Sequence, residues 1–182
     1  MGPGVNIYRT PLNGRNFEYM GEDPFLTSTM VVPYIQGMQA LGVSACVKHY
    51  CLNNDEENRF NVNVKVSDRA LHEIYLPAFK AAVQQGKVWA IMGGYNIYND
   101  EHCCHNSITL NKILKNGWQF DGVVVSDWGG AHDTHQAVRN GLDMEFGTWT
   151  NGLTTGASNA YDNYYLALPY LKGIKSGKYT TR

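Results

Sequence analysis

"FDGVVVSDW", residues 120–128, decides the fold. Glycine and three valines follow one another with no polar interruption, which suits a strand covered by other structure on both faces, and such strands belong to parallel sheets. The run ends abruptly in an acid and an indole, Asp127 and Trp128. Four more short apolar, β-branched runs share this form: "VNIYR" (5–9), "GVSACVKHY" (42–50), "VWAIMGGYN" (88–96) and "GLDMEF" (141–146). Each is followed by helical pattern. The clearest helix is expected from Ser67 as N-cap through Leu71, Ile74, Tyr75, Ala78, Phe79 and Ala82 to Gly86, with a kink at Pro77. Others are expected at roughly 26–40, 109–117, 131–140 and 160–176, with Gly117, Gly141 and Gly177 placed for helix ends.

The reading is therefore an α/β chain of about five β-α units around a parallel sheet, either doubly wound or a barrel. Polar residues gather where the apolar runs stop: Arg9, Lys48 with His49, Tyr95 with Asn96, Asp127 with Trp128, and Glu145. In parallel α/β folds that edge carries the active site. No glycine-rich phosphate loop follows any strand, so an incomplete (β/α)8 barrel of the TIM type is favoured over a nucleotide-binding fold. Five units are too few to close a barrel of eight, and the expectation is a fragment of the middle and later part of one.

Composition narrows the function. The chain has 182 residues, 43% of them hydrophobic, and 15 basic against 16 acidic residues with no run of like charge. That balance gives no footprint for nucleic acid or an anionic membrane surface, and a neutral partner is expected. No stretch is long and apolar enough to span a bilayer, and "MGPGVNIYRTPLNGRN" has no signal-peptide pattern, so compartment is not readable from the N-terminus. Cys46, Cys51, Cys103 and Cys104 read as buried free thiols. In "HCCH" (102–105) four adjacent side chains diverge, whereas zinc ligands come in spaced pairs, and "HDTH" (132–135) falls at a helix start; no metal and no cofactor are expected.

Five ordered motifs carry a resemblance: "GRNFEYMGEDP" (14–24), "VKHYCLNNDEENR" (47–59), "VSDRALHEIYLPAFKAAV" (66–83), "IMGGYN" (91–96) and "GVVVSDW" (122–128). From about residue 2 to residue 178 the chain resembles the N-terminal barrel of family 3 glycoside hydrolases of the bacterial β-glucosidase and β-xylosidase type. The resemblance implies that residues 1–182 are part of that barrel domain, with the start of the barrel and a C-terminal α/β domain outside it. It implies a retaining, exo-acting β-glycosidase acting on β-linked oligosaccharides or aryl and alkyl β-glycosides, with Asp127 as covalent nucleophile. Such an enzyme needs an ionised carboxylate on a rigid element beneath the anomeric carbon, and the end of a strand supplies one. For the full-length parent a periplasmic or secreted location is the expectation.

The same resemblance implies that Lys48 and His49 bind sugar hydroxyls, that Arg15 fixes a ring hydroxyl and orients carboxylates, that Tyr95 stands beside the nucleophile, that Met92 lines the pocket and that Trp128 offers an apolar face to the sugar. Arg59 resembles a family arginine and equally suits a pair with Glu56 on the same turn. Read from the residues alone, His49 and Tyr95 also suit the core, and Arg15 a pair with Glu18 or Glu22. Two parts of the family pattern find no match. Its early substrate-binding aspartate falls outside the chain. No acid/base is assignable either: "KHYCLNNDEEN" lacks the KHFPGHG-type signature of the hexosaminidase branch, and the glutamate of the glucosidase branch belongs to the second domain. Glu56, Glu57 and Glu101 are carboxylates on rim loops with nothing to single one out. Two other functions remain open: a Schiff-base lyase built on Lys48, and a non-catalytic sugar-binding fragment. Open barrel edges also favour self-association, and the isolated chain is expected to be inactive.

Overall fold

The computed structural model describes residues 1–147 and 160–180. Its main sheet contains strands β1 (Cys46–Tyr50), β3 (Ala90–Gly93) and β6 (Val123–Val125), all parallel and adjacent in that order. Each edge is extended by one parallel bridge, Gly4 to Lys48 on one side and Val125 to Met144 on the other. Five segments thus lie side by side in chain order. A sheet that never reverses its strand order is laid out as in a (β/α) barrel; a doubly wound sheet would show a switch point.

All five expected strands are shorter than the sequence suggested, the first and last most of all. The first pairs at residues 2–5, ahead of the expected 5–9: Cys46 N–H donates to the Gly2 carbonyl and Val5 N–H to that of Lys48, each at 2.8 Å. Beyond Val5, a side chain replaces the ladder: Asn6 accepts from the His49 N–H at 2.7 Å and donates to the His49 carbonyl at 3.0 Å. The last strand, expected at 141–146, pairs through Met144 alone, whose N–H donates to the Val124 carbonyl at 3.0 Å. A small second sheet, β2 (Asn63–Val64), β4 (Ile97–Tyr98) and β5 (Glu101–His102), has no counterpart in the sequence reading, because two-residue strands carry no periodicity.

The strand side chains divide by period two. Val47, Ile91 and Val124 face the helices and join Val31, Ile35, Leu76, Phe79, Leu110 and Leu114 in the main core. Cys46, Met92 and Val125 face the other way and form a smaller apolar cluster on the barrel-interior side. Helix α1 (Pro24–Ala40) buries Thr27, Val31 and Ile35 at i, i+4 spacing, and Asp23 caps it by accepting from the Phe25 and Leu26 N–H groups.

The expected break at Pro77 takes a specific form. Helix α2 (Asp68–Ala70) passes into a π-helical turn, Leu71–Tyr75, in which the Leu76 N–H reaches the Leu71 carbonyl at 3.0 Å, and α3 (Pro77–Gln84) begins at the proline. The wider turn accommodates a residue that has no N–H to give and whose ring would strike the preceding turn. The helix expected at 109–117 is likewise π-helical over Ser107–Gly117. α4 (Thr134–Asn140) is capped by Asp133 and stopped by Gly141 at φ 97, and α5 (Leu168–Lys175) follows a short 3-10 turn at Ala160–Asn163. All four cysteines are free and buried.

Asn106 starts the Ser107–Gly117 helix and ties it to the small sheet. Its side-chain oxygen accepts from the Ile108 and Thr109 N–H groups at 3.0 Å, and its amide donates to the Tyr98 carbonyl at 2.7 Å. Asn106→Ala removes a cap and leaves a buried carbonyl unpaired. Urea unfolding is expected to show a loss of about 2–3 kcal/mol.

Candidate active site

Asp127 follows β6 directly, and the chain turns tightly around it. Its carbonyl accepts from the Gly130 N–H at 2.9 Å, while Ser126 Oγ accepts from the Phe146 N–H at 2.8 Å and the Phe146 carbonyl from the Gly129 N–H at 3.0 Å. A Cβ at Gly130 would stand 2.6 Å from Cys104 Sγ, so only glycine fits that closely against the thiol. The carboxylate is 6% exposed. Its Oδ1 accepts from the Trp128 N–H at 2.8 Å, whereas Oδ2 is buried with no hydrogen-bond partner among the described residues. Burial raises the Asp127 pKa above the usual carboxylate value, opposed by the Trp128 N–H, Tyr95, Arg15 and Arg59.

His49, on β1, is 1% exposed, with Nε2 3.5 Å from Asp127 Oδ2 and Nδ1 3.0 Å from the Tyr19 hydroxyl. The first separation is longer than a proper N–H···O hydrogen bond. Burial, reinforced by the charges of Arg15, Lys48 and Arg59, pushes the imidazole down to about 2, so the ring is neutral across the working range of most proteins.

Around this pair stand three cations and two carboxylates. Lys48 Nζ lies 2.9 Å from Glu18 Oε2, and Arg15 Nε donates to Glu18 Oε1 at 2.5 Å. Arg59 donates to Glu56 Oε2 at 2.6 Å, and Arg15 lies 3.8 Å from Glu56 Oε1. The Arg59 guanidinium also sits 4.3 Å above the Tyr95 ring, whose edge meets Phe60. The Tyr95 hydroxyl donates to the Trp128 carbonyl at 2.8 Å. Trp128 is 45% exposed and stacks on Phe146 with ring centres 5.2 Å apart.

Of the residues singled out in the sequence, Asp127, His49, Tyr95, Trp128 and Arg59 are linked by direct contacts, and Lys48 and Arg15 join them through Glu18 and Glu56. Both pairings left open for the arginines occur, Arg15 with Glu18 and Arg59 with Glu56. Met92 packs in the apolar cluster with Cys46 and Val125, against which Phe146, the stacking partner of Trp128, also packs. Arg9 is exposed, Asn96 donates to Cys103 Sγ in the core, and the Glu145 carboxylate accepts from the N–H groups of Tyr165 and Leu166. These three strand-end residues are structural or peripheral. Among the rim carboxylates, Glu101 accepts from the N–H and hydroxyl of Ser107, and Glu57 is exposed.

The residues the sequence reading left without a role are Asn6, Glu18 and Tyr19 as partners of β1. Only Glu18 carried a signal, its i, i+3 spacing from Arg15.

A parallel sheet in barrel order, with a buried carboxylate at a strand end and cations around it, defines a (β/α)-barrel domain. The comparisons with known proteins agree. The family model described as "Glycosyl hydrolase family 3 N terminal domain" matches residues 1–146, and the chain belongs to that family. A β-glucosidase of Bacteroides ovatus is 61% identical over 98% of this chain and 24% of its own length. An exo-α-(1→6)-L-arabinopyranosidase of Bifidobacterium longum is 44% identical over 80% of this chain and 19% of its own length. The solved structure of β-glucosidase 3B from Thermotoga neapolitana in complex with glucose superposes with a TM-score of 0.86 at 37% identity, over 99% of this chain and 24% of the other. The chain spans about a quarter or less of the length of these relatives.

Two buried histidines give the fold a defined pH response. His105 is held down to about 4, chiefly by burial and then by His102, and His49 to about 2. An unfolded histidine protonates near pH 6.5. Below that pH the unfolded chain binds protons that the folded chain refuses, so unfolding free energy falls on acidification, by up to about 1.4 kcal/mol per pH unit for each histidine. The contribution of His105 is lost by about pH 4. Urea unfolding at intervals between about pH 6.5 and pH 4.5 is expected to give this slope, and a shallower one in His105→Gln.

Proposed function

We propose that the residues of this chain form the nucleophile half of the active site of a retaining, exo-acting β-glycosidase, in which the Asp127 carboxylate attacks the anomeric carbon, the glycosidic bond to the leaving group breaks, and a covalent glycosyl-enzyme forms. One observation carries the reading. Asp127 is fixed at the end of a strand of the main sheet with Oδ1 held by a backbone N–H and Oδ2 without a hydrogen-bond partner among the described residues. A nucleophile needs that combination, one oxygen oriented and one lone pair uncommitted. Lys48, His49, Arg15 and Arg59 then supply donors for sugar hydroxyls, and the half-exposed Trp128 supplies an apolar face.

The acid/base is the missing half. In a retaining glycosidase the two carboxyl groups stand about 5 Å apart, and the second must carry a proton as the leaving group departs. Glu18 and Glu56, the carboxylates nearest the cations, are bound in ion pairs. Although burial opposes it, the hydrogen bonds and charges of Lys48 and Arg15 hold Glu18 below the usual carboxylate value, the wrong direction for a general acid. The acid/base and the remaining barrel units are therefore proposed to come from outside residues 1–182. The Schiff-base reading is less well supported: Lys48 Nζ is engaged by a carboxylate at 2.9 Å, whereas an amine that attacks a carbonyl must offer a free lone pair.

In the full-length enzyme, a fluorinated mechanism-based β-glycoside is expected to label the peptide containing "SDWGG", and Asp127→Ala to lower kcat by roughly 10⁴-fold. Label on any other peptide overturns the assignment.

The 182-residue chain by itself is expected not to hydrolyse p-nitrophenyl β-glucoside measurably. Turnover at the level of a full-length enzyme would place the acid/base within these residues.

A further inference from the structure

Two consecutive residues, Glu18 and Tyr19, meet two consecutive residues of β1. Glu18 takes Lys48, and Tyr19 takes His49. The second contact decides more than position. We propose that Tyr19 is a positioning residue that fixes His49 in the tautomer carrying its proton on Nε2, so that the ring presents an N–H, and not a lone pair, to the Asp127 carboxylate. The catalytic consequence rests on the reading of Asp127 as nucleophile; the tautomer itself does not.

A neutral imidazole has one donor nitrogen and one acceptor nitrogen. Nε2 faces Asp127 Oδ2, a buried oxygen that only accepts and that has no hydrogen-bond partner among the described residues. A lone pair on Nε2 would set two acceptors against each other at 3.5 Å in a place closed to water, whereas a proton there makes the contact attractive. Nδ1 must then accept, and a donor must reach it. The Tyr19 hydroxyl, 3.0 Å away, is the group within hydrogen-bond distance of Nδ1 among the described residues. Burial keeps the phenol protonated and the imidazole neutral, which leaves the hydroxyl as the donor.

Both partners are held rigidly. Asn6 grips the His49 backbone through its N–H and its carbonyl, so the ring cannot retreat along the strand. The Tyr19 carbonyl accepts from the Tyr8 hydroxyl, and the Tyr19 N–H donates to the Asn16 carbonyl at 3.2 Å. A Cβ at Gly4 would stand 2.7 Å from the Tyr19 ring, so the first strand of the sheet leaves that space for it. The two rings meet edge to face with centres 6.0 Å apart. With both rings fixed, the hydroxyl is what remains to choose between the two tautomers.

Neutron diffraction from deuterated crystals of the full-length enzyme tests this directly. Deuterium on His49 Nε2 and a Tyr19 O–D directed at Nδ1 is the expected result; deuterium on Nδ1 overturns the proposal whatever any variant does. Tyr19→Phe keeps the ring and removes only the hydroxyl. It is expected to lower kcat for an aryl β-glucoside about tenfold, the scale of one ordinary hydrogen bond, with KM changed less than about twofold. Unchanged kcat in a folded Tyr19→Phe enzyme also overturns it. The two readings fail separately: deuterium on Nε2 beside a label on some residue other than Asp127 would remove the nucleophile and leave the tautomer, and the converse pair of results would do the reverse.

Discussion

A carboxylate almost withdrawn from water has to be held by charges and dipoles that travel with the fold, and much of this chain is arranged to do that for Asp127. Burial alone disfavours the ionised form. Against it the structure sets one backbone N–H, the Tyr95 hydroxyl nearby and the positive fields of Arg15 and Arg59. Those cations need partners of their own, so Glu18 and Glu56 tie them down. His49, kept neutral by burial and then by three positive side chains, spares the site a fourth positive charge. The compensation is partial, and Oδ2 has no hydrogen-bond partner among the described residues.

The strand that leads to Asp127 was readable because Val124 and Val125, which point to opposite faces, are both buried. Val123, Val124 and Val125 need no alternation, so they announce themselves as a run, and Asp127 stands out as the first acid after it. Lys48 and His49 were legible for the same reason. The first and last strands were misplaced by a few residues because edge pairing depends on which backbone groups meet; the side chains of "VNIYR" and "GLDMEF" look alike whether they pair at one position or five. The π-helical turns were invisible to a period of 3.6, although Pro77 marked the place where one was needed.

The second layer of the site was harder to see than the first. Lys48, His49 and Asp127 belong to types whose chemistry is conspicuous at a strand end. Tyr19 and Asn6 become meaningful only through partners 30 and 43 residues away, and nothing in local spacing reports such a distance. Substrate preference is a further step removed. Relatives named as a β-glucosidase and as an α-arabinopyranosidase share this stretch of chain, so its motifs do not by themselves report a choice of sugar.

Asn6 has a consequence of its own. A peptide unit offers a donor and an acceptor at a set spacing, and the carboxamide of Asn6 reproduces both toward His49, continuing the sheet by one rung after the main chain has left it. The position therefore reads two signals at once. Aspartate would answer the N–H and repel the carbonyl, serine would satisfy one of the two at a time, and glutamine would carry its amide a methylene too far. Substitution at residue 6 is thus constrained from a strand it does not belong to, and the backbone of His49 inherits its placement from a side chain 43 residues away.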